Sequence, residues 1–155
     1  MFEIKSPKKF LRQLIIVEFL LGVILIFIGF YFLIRLIIRV FIIQGYYRDP
    51  IQWSIILILF IACGILGFLS FITMKKSKKI GIDIGMVSFV LLALNALFIS
   101  LYIFITDLLR QLTGGHFIIA STQFGLLVIL SLFSIYMFLT IFQNRENLKN
   151  TFKYN

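Results

Sequence analysis

The sequence predicts an all-α integral membrane protein built as a four-transmembrane-helix bundle. Four long stretches carry almost no charge, at about 13–36, 52–74, 81–106 and 119–142. The chain is 61% hydrophobic with a mean hydropathy of +1.09. A helix needs roughly 20 apolar residues to cross the bilayer. Within lipid only a helix or a closed barrel satisfies its own backbone hydrogen bonds, so stretches of this length are expected to be helices.

Two other interpretations of the apolar stretches fit less well. A soluble helical domain would show polar faces at a period near 3.6 residues, whereas these stretches are apolar on all sides. The first stretch is longer than the 7–15 residue core of a signal peptide, and no small-residue cleavage motif follows it. We therefore expect one membrane domain over 1–155, with short polar tails at 1–12 and 143–155.

The basic residues predict the orientation, because cytoplasmic loops carry the excess of lysine and arginine. Of 15 such residues, only Arg35, Arg39, Arg48 and Arg110 belong to the first and third loops. The other 11 occupy the two tails and the second loop, where they include every lysine. Both termini are thus expected in the cytoplasm, in a prokaryotic plasma (inner) membrane. The second loop is expected to contact inner lipid headgroups through Lys75, Lys76, Lys78 and Lys79.

The first span is unusually long. Its apolar pattern continues beyond Arg35 and Arg39 as far as Ile43. A continuous helix from Gln13 to Ile43 would measure about 46 Å at 1.5 Å per residue. This exceeds the hydrocarbon thickness, so we expect a long first helix that tilts or extends into the outer interface.

Glu18 is the candidate intramembrane acid, because a carboxyl inside a span is costly and usually faces protein or water. On a helical wheel it shares a stripe with Gly22 and Gly29, which predicts contact with a neighbouring helix. One interpretation is a proton or cation site. The other is a shallow acid paired with Arg12 or with the lysines of 75–79.

Arg35 and Arg39 lie one helical turn apart near the outer end of the first span. Together they could hold a phosphate, a carboxylate or an acidic partner residue. Alternatively they extend to outer headgroups, or pair with Asp49 or Asp107. They are the candidate contacts for an outer anion, a lipid or a partner.

Small and polar residues predict the remaining helix contacts. Gly67 lies on a smooth face of the second span, and Gly81 and Gly85 have a small-xxx-small spacing on the third. Asn95 is expected to form a hydrogen bond across helices, with contact to a ligand as the alternative. Asp83 is expected to pair with the neighbouring lysine cluster.

Several classes of function lack support. A single cysteine excludes a disulfide framework and a CxxC pair. A lone histidine without a second ligand makes a metal site improbable. The net charge of +9 is concentrated at span ends, and no nucleic-acid-binding motif accompanies it. We therefore expect no catalytic residues, no cofactor, no metal and no nucleic-acid partner.

Two functions remain open. The first is a non-catalytic accessory or structural subunit, which assembles with other membrane subunits or with itself through the small-residue faces in the lipid bilayer. The alternative is an oligomeric channel or small carrier that uses Glu18. The pair Glu18 and Gly22 resembles the first span of small multidrug transporters, but the long first span and the apolar character of the other spans do not follow that family.

Overall fold

The computed structural model describes residues 4, 6–38, 40, 50–112 and 121–152. At 50–52, 107–112 and 121–124 it describes the backbone but not the side chains. The described residues are helical apart from short connections, and they contain no strand. The five helices are α1 Pro7–Ile37, α2 Pro50–Lys75, α3 Ile80–Leu112, α4 Ser121–Gln143 and α5 Arg145–Thr151.

Helices α1 to α4 are the four that are long and apolar enough to cross a membrane. The expectation of an all-helical chain with four such helices is confirmed. Their outward surface is apolar, with Phe27 72% exposed on α1 and Leu126 68% exposed on α4. Apolar exposure on this scale is unfavourable in water and is typical of a lipid-facing surface.

The helices pack in chain order, α1 against α2, α2 against α3 and α3 against α4, whereas the described residues of α1 and α4 form no comparable interface. The four helices therefore make an open arc, not a closed ring with four equal interfaces. At one end a shared apolar core closes this arc. That core includes Leu14 of α1, Met74 of α2, Ile82 of α3 and Ile141 of α4, all of them buried.

We call this closed end the lysine end, because the turn between α2 and α3 lies there with Lys75, Lys76, Lys78 and Lys79 exposed. Ser77 has a positive φ of 55°. Its N–H donates to the Met74 carbonyl, and the Lys78 N–H donates to the Thr73 carbonyl. This pair of bonds is a Schellman motif, which satisfies two carbonyls at the end of α2 and lets α3 begin after a few residues.

The described residues nearest the two termini lie at the lysine end. The Ile4 N–H donates to Asn144 Oδ1 at 3.4 Å, and Asn144 precedes α5. Leu148 of α5 is fully buried in the core that closes this end. The segment after Gln143, expected to be a polar tail and frayed helix end, thus contains a short helix that covers the end of the bundle.

Asp83 differs from the sequence-based expectation. Its carboxylate accepts from Arg145 Nε at 2.7 Å and from Lys149 Nζ at 2.8 Å, both on α5. No lysine of the 75–79 turn pairs with it among the described residues. The expected partner was wrong because α5 lies 62 residues away in sequence, and its two cations reach Asp83 only in the folded bundle.

Removing the Asp83 carboxylate should release α5. We expect Asp83→Asn to lower the free energy of unfolding by at most about 1 kcal/mol, since partly exposed ion pairs contribute little. Faster hydrogen exchange and trypsin cleavage at Arg145 and Lys149 should reveal the release. Lys76→Gln is the control, because it removes an exposed charge at the lysine end that forms no described ion pair. Equal protection of α5 in the wild type and in Asp83→Asn would contradict this role.

The first helix begins earlier in the sequence than expected. Helix α1 has 31 residues and begins at Pro7, nearer the lysine end than Gln13. Ser6 lies before it with an extended backbone, and Pro7 occupies the first turn, where its missing N–H costs nothing. The outer extension beyond residue 40 and the side chain of Arg39 lie outside the described residues.

Candidate functional site

The most unusual side chain in the bundle is Glu18 of α1, which is only 1% exposed. It lies between α2 and α3, in the half of the bundle that the lysine end closes. A Cβ atom placed on Gly67 of α2 would lie 3.1 Å from Glu18 Oε2. One placed on Gly85 of α3 would lie 2.5 Å from Oε1. Two glycines on two helices thus leave the space that the carboxyl occupies.

Ser70 of α2 completes this site, which we call the Glu18 pocket (Glu18, Gly67, Ser70 and Gly85). The Ser70 hydroxyl is fully buried and adjoins the Glu18 carboxyl. Its Oγ lies 2.9 Å from the Gly81 carbonyl oxygen, to which it can donate. A hydroxyl has one proton and rotates to suit its partners, so Ser70 can also turn that proton toward Glu18. It can therefore donate to an ionised Glu18 or accept from a protonated one.

The charge of Glu18 is not compensated by a described cation. The described ion pairs all involve Asp83, and neither Arg12 nor the lysines of 75–79 pair with Glu18. Glu18 Oε1 also has no hydrogen-bond partner. The interpretation of Glu18 as an acid paired with Arg12 or the lysine cluster is therefore wrong. Helices α2 and α3 pack around the Glu18 carboxyl, so it does not extend to the surface.

Closure of the Glu18 pocket depends on a backbone contact one turn away, between Gly22 of α1 and Gly64 of α2. A Cβ on Gly64 would lie 2.9 Å from the Gly22 carbonyl oxygen and 2.9 Å from the Ile26 nitrogen. A Cβ on Gly22 would lie 3.0 Å from the Gly64 carbonyl oxygen. Gly22 was predicted from the sequence as a packing residue, whereas Gly64 was not. The spacing of Gly64 and Gly67, three residues apart on one helix face, was the available signal.

The other predicted packing residues also lie at contacts within the chain. Gly29 of α1 faces Ile61 of α2, and a Cβ added to Gly29 would lie 2.5 Å from Ile61 Cγ1. Gly81 of α3 lies against Thr73 and Met74, next to the turn. The small-residue faces of α1, α2 and α3 are therefore filled by one another. A partner could use them only if the bundle opened.

Asn95 and Ser88 lie along the interface between α2 and α3. Asn95 Nδ2 donates to the Ile56 carbonyl at 3.5 Å, and Ser88 donates to the Cys63 carbonyl at 3.3 Å. Asn95 Oδ1 has no hydrogen-bond partner. Leu92, 2% exposed, lies between these two polar residues on α3. Polar groups thus follow this interface at intervals without forming a continuous path.

Away from the lysine end the four helices separate around a cavity of about 590 Å³. Each of the four contributes to its wall, for example through Phe32, Phe60, Ile103 and Leu127. Arg35 is the one charged side chain among the described residues that line it. The volume falls within the roughly 300–1,000 Å³ that is typical of ligand pockets. We call this space the outer cavity.

Some of the residues considered in the sequence analysis lie outside the part of the chain that the structure describes. Arg39 and His116 lie outside the described residues, as do the side chains of Asp49 and Asp107. Arg35 forms no ion pair in the described part of the chain. Within that part, no group of three potential metal ligands occurs. Comparison with protein-family models, with curated proteins and with solved structures finds no match to this chain.

Proposed function

We propose that the chain is a small, non-catalytic membrane carrier in which Glu18 binds and releases the proton that is carried. The observation that supports this most strongly is a carboxyl 1% exposed, without a described cation, and with one oxygen lacking a hydrogen-bond partner. An uncompensated charge in such a place is expensive, so the proton is expected to reside on Glu18 while the pocket is closed.

The asymmetry of the bundle supports a carrier over a pore. A pore is lined by polar groups or narrow constrictions along its whole length, whereas here Leu92 separates Ser88 from Asn95. A carrier exposes its site to one side at a time. The closed lysine end and the outer cavity at the opposite end match one such state, in which access to Glu18 requires the helices to move.

The basic residues indicate the side of the membrane on which the lysine end lies. We infer that the lysine end faces the cytoplasm of a prokaryotic cell, since cytoplasmic segments carry the lysine excess. Lys75, Lys76, Lys78 and Lys79 are all exposed there, which suits contact with anionic headgroups. The outer cavity would then face the opposite leaflet.

A second candidate function is that of an accessory subunit. It is favoured by the open arc. In the described part of the chain α1 and α4 share no interface comparable to the other three, and a helix of another subunit, or of a second copy, could pack into that gap. The small-residue faces of α1 to α3 no longer support this candidate, because they are filled within the chain.

The carrier proposal is tested by replacing Glu18 with glutamine. The purified protein is reconstituted in vesicles containing a trapped pH-sensitive dye, and a potassium gradient with valinomycin sets the membrane potential. We expect the wild type to admit protons faster than protein-free vesicles, and Glu18→Gln to reduce the rate to the protein-free value. Glutamine has nearly the same shape and no titratable proton, so folding should be retained.

Glu146→Gln is the control, because it removes an exposed carboxyl of α5 and should leave proton entry unchanged. Thermal unfolding in detergent checks that Glu18→Gln folds normally. Equal proton entry in Glu18→Gln and the wild type would contradict the proposal. Wild-type vesicles no faster than protein-free vesicles would do the same and would leave the subunit as the leading candidate.

A further inference from the structure

We propose that the outer cavity binds one acyl chain of an anionic phospholipid, with the lipid headgroup held by Arg35. This is a binding site distinct from the Glu18 pocket, and it does not depend on whether Glu18 carries a proton. The depth of the cavity, its apolar lining and the position of its single described charge support this site.

The depth suits a lipid chain. Along α1 the cavity extends from Ile28 to Leu36, and along α2 from Trp53 to Phe60. At 1.5 Å per residue both intervals measure about 10–12 Å. The 21 residues of α1 from Leu14 to Ile34 measure about 30 Å, which matches the thickness of the hydrocarbon core. Arg35 comes directly after them, so it would lie at the boundary of the core away from the lysine end. The cavity therefore lies within the leaflet below that boundary.

The lining argues against a polar occupant. Apart from Arg35, the described wall is made of aliphatic and aromatic side chains, which offer a polar solute few partners. An acyl chain needs no hydrogen-bond partner along its length, and its flexibility lets it follow an irregular apolar wall.

Arg35 provides the selectivity. Lipid chains are as apolar as the cavity wall, so burial of the chain gains little over the bilayer and does not distinguish one phospholipid from another. A guanidinium group pairs strongly with phosphate and carboxylate oxygens. Arg35 forms no ion pair in the described part of the chain, and its side chain belongs to both the cavity and the surface. A headgroup whose chain enters the cavity would therefore lie within reach of this guanidinium group.

The chain contains its own reporter, because its single tryptophan, Trp53, lines the cavity. Quenching of Trp53 fluorescence by lipids brominated on the acyl chain then measures occupancy. Vesicles of phosphatidylcholine receive a small and equal fraction of brominated phosphatidylglycerol or brominated phosphatidylcholine. We expect the anionic lipid to quench as though it bound about fivefold more strongly, the factor that one basic residue near a lipid surface provides.

Three variants make the test specific. Arg35→Gln should abolish the preference for the anionic lipid, and Ile103→Phe should reduce quenching by both lipids because the added ring fills the cavity. Arg12→Gln, which removes an exposed arginine of α1 near the lysine end, should behave as the wild type. Equal quenching by the two lipids in the wild type would overturn the proposal. So would a preference that survives Arg35→Gln, or quenching that is unchanged in Ile103→Phe.

These outcomes are independent of proton entry. Glu18→Gln should keep the lipid preference of the wild type. If Arg35→Gln shows normal proton entry but no lipid preference, the result supports the lipid site in the outer cavity without bearing on the carrier proposal. Loss of the carrier function therefore does not imply loss of lipid binding, and each proposal can fail without the other.

Discussion

Replacement of Gly64 by leucine is expected to separate α1 from α2. At this position the neighbours are the Gly22 carbonyl oxygen and the Ile26 nitrogen, each 2.9 Å from an added Cβ. Backbone atoms of a helix cannot move aside as a flexible side chain can. Overpacking usually costs about 1–3 kcal/mol, and we expect a larger loss here because two backbones are in contact. The free energy of unfolding should fall by more than about 3 kcal/mol.

The separated chain should remain helical, because each span satisfies its own backbone hydrogen bonds in lipid or detergent. Far-ultraviolet circular dichroism of Gly64→Leu should thus resemble that of the wild type, while its midpoint of thermal aggregation falls. Gly125→Leu on α4 is the matched control, since an added Cβ there meets nothing within 4 Å. If Gly64→Leu and Gly125→Leu have equal midpoints, the close crossing of α1 and α2 is incorrect.

Replacement of Gly85 by alanine should be destabilising in a way that depends on Glu18. The added methyl group would lie 2.5 Å from Glu18 Oε1 and 2.8 Å from Ser70 Oγ. We expect a cost of about 1–3 kcal/mol, reduced by the better helix propensity of alanine, which contributes up to about 1 kcal/mol. Glu18→Ala removes the carboxyl and leaves space that the methyl group can partly occupy.

The double variant should therefore be more stable than the sum of the single effects predicts. Residues in contact show coupling energies of about 0.5–3 kcal/mol, and we expect at least about 1 kcal/mol here. Unfolding midpoints of the four proteins of this cycle provide the measurement. Gly125→Ala combined with Glu18→Ala should be additive within about 0.5 kcal/mol. Additivity between Gly85→Ala and Glu18→Ala would mean that the carboxyl does not face Gly85.

The sequence predicted the number and type of the main elements, because a long apolar stretch in lipid has few alternatives to a helix. It also identified Glu18, Gly22 and Gly29 as one face of α1, and that face lies against α2 and α3. The 3.6-residue period of a helix is sufficient to group residues on one side of the same helix.

What the sequence could not predict is which faces meet. Asp83 pairs with Arg145 and Lys149 of α5, because the closed end brings distant segments together. Gly64 contacts Gly22, and no local pattern in either helix names the other as its partner. The outer cavity was equally hidden, since side chains such as Ile103 and Leu127 are of the same type as those that face lipid. Separation of the helices, and not composition, creates the cavity.

The most direct test of the account is the side of the membrane on which the lysine end lies, since a chain with four crossing helices must place the turn at Ser77 opposite the segment that joins α3 to α4. Single cysteines are introduced by Ser77→Cys or His116→Cys in a Cys63→Ala background, and intact cells are treated with a membrane-impermeant maleimide. We predict that the cysteine at 116 is labelled in intact cells, and that the one at 77 is labelled only after the membrane is permeabilised. Labelling of position 77 in intact cells, or labelling of both positions from the same side, would contradict the account.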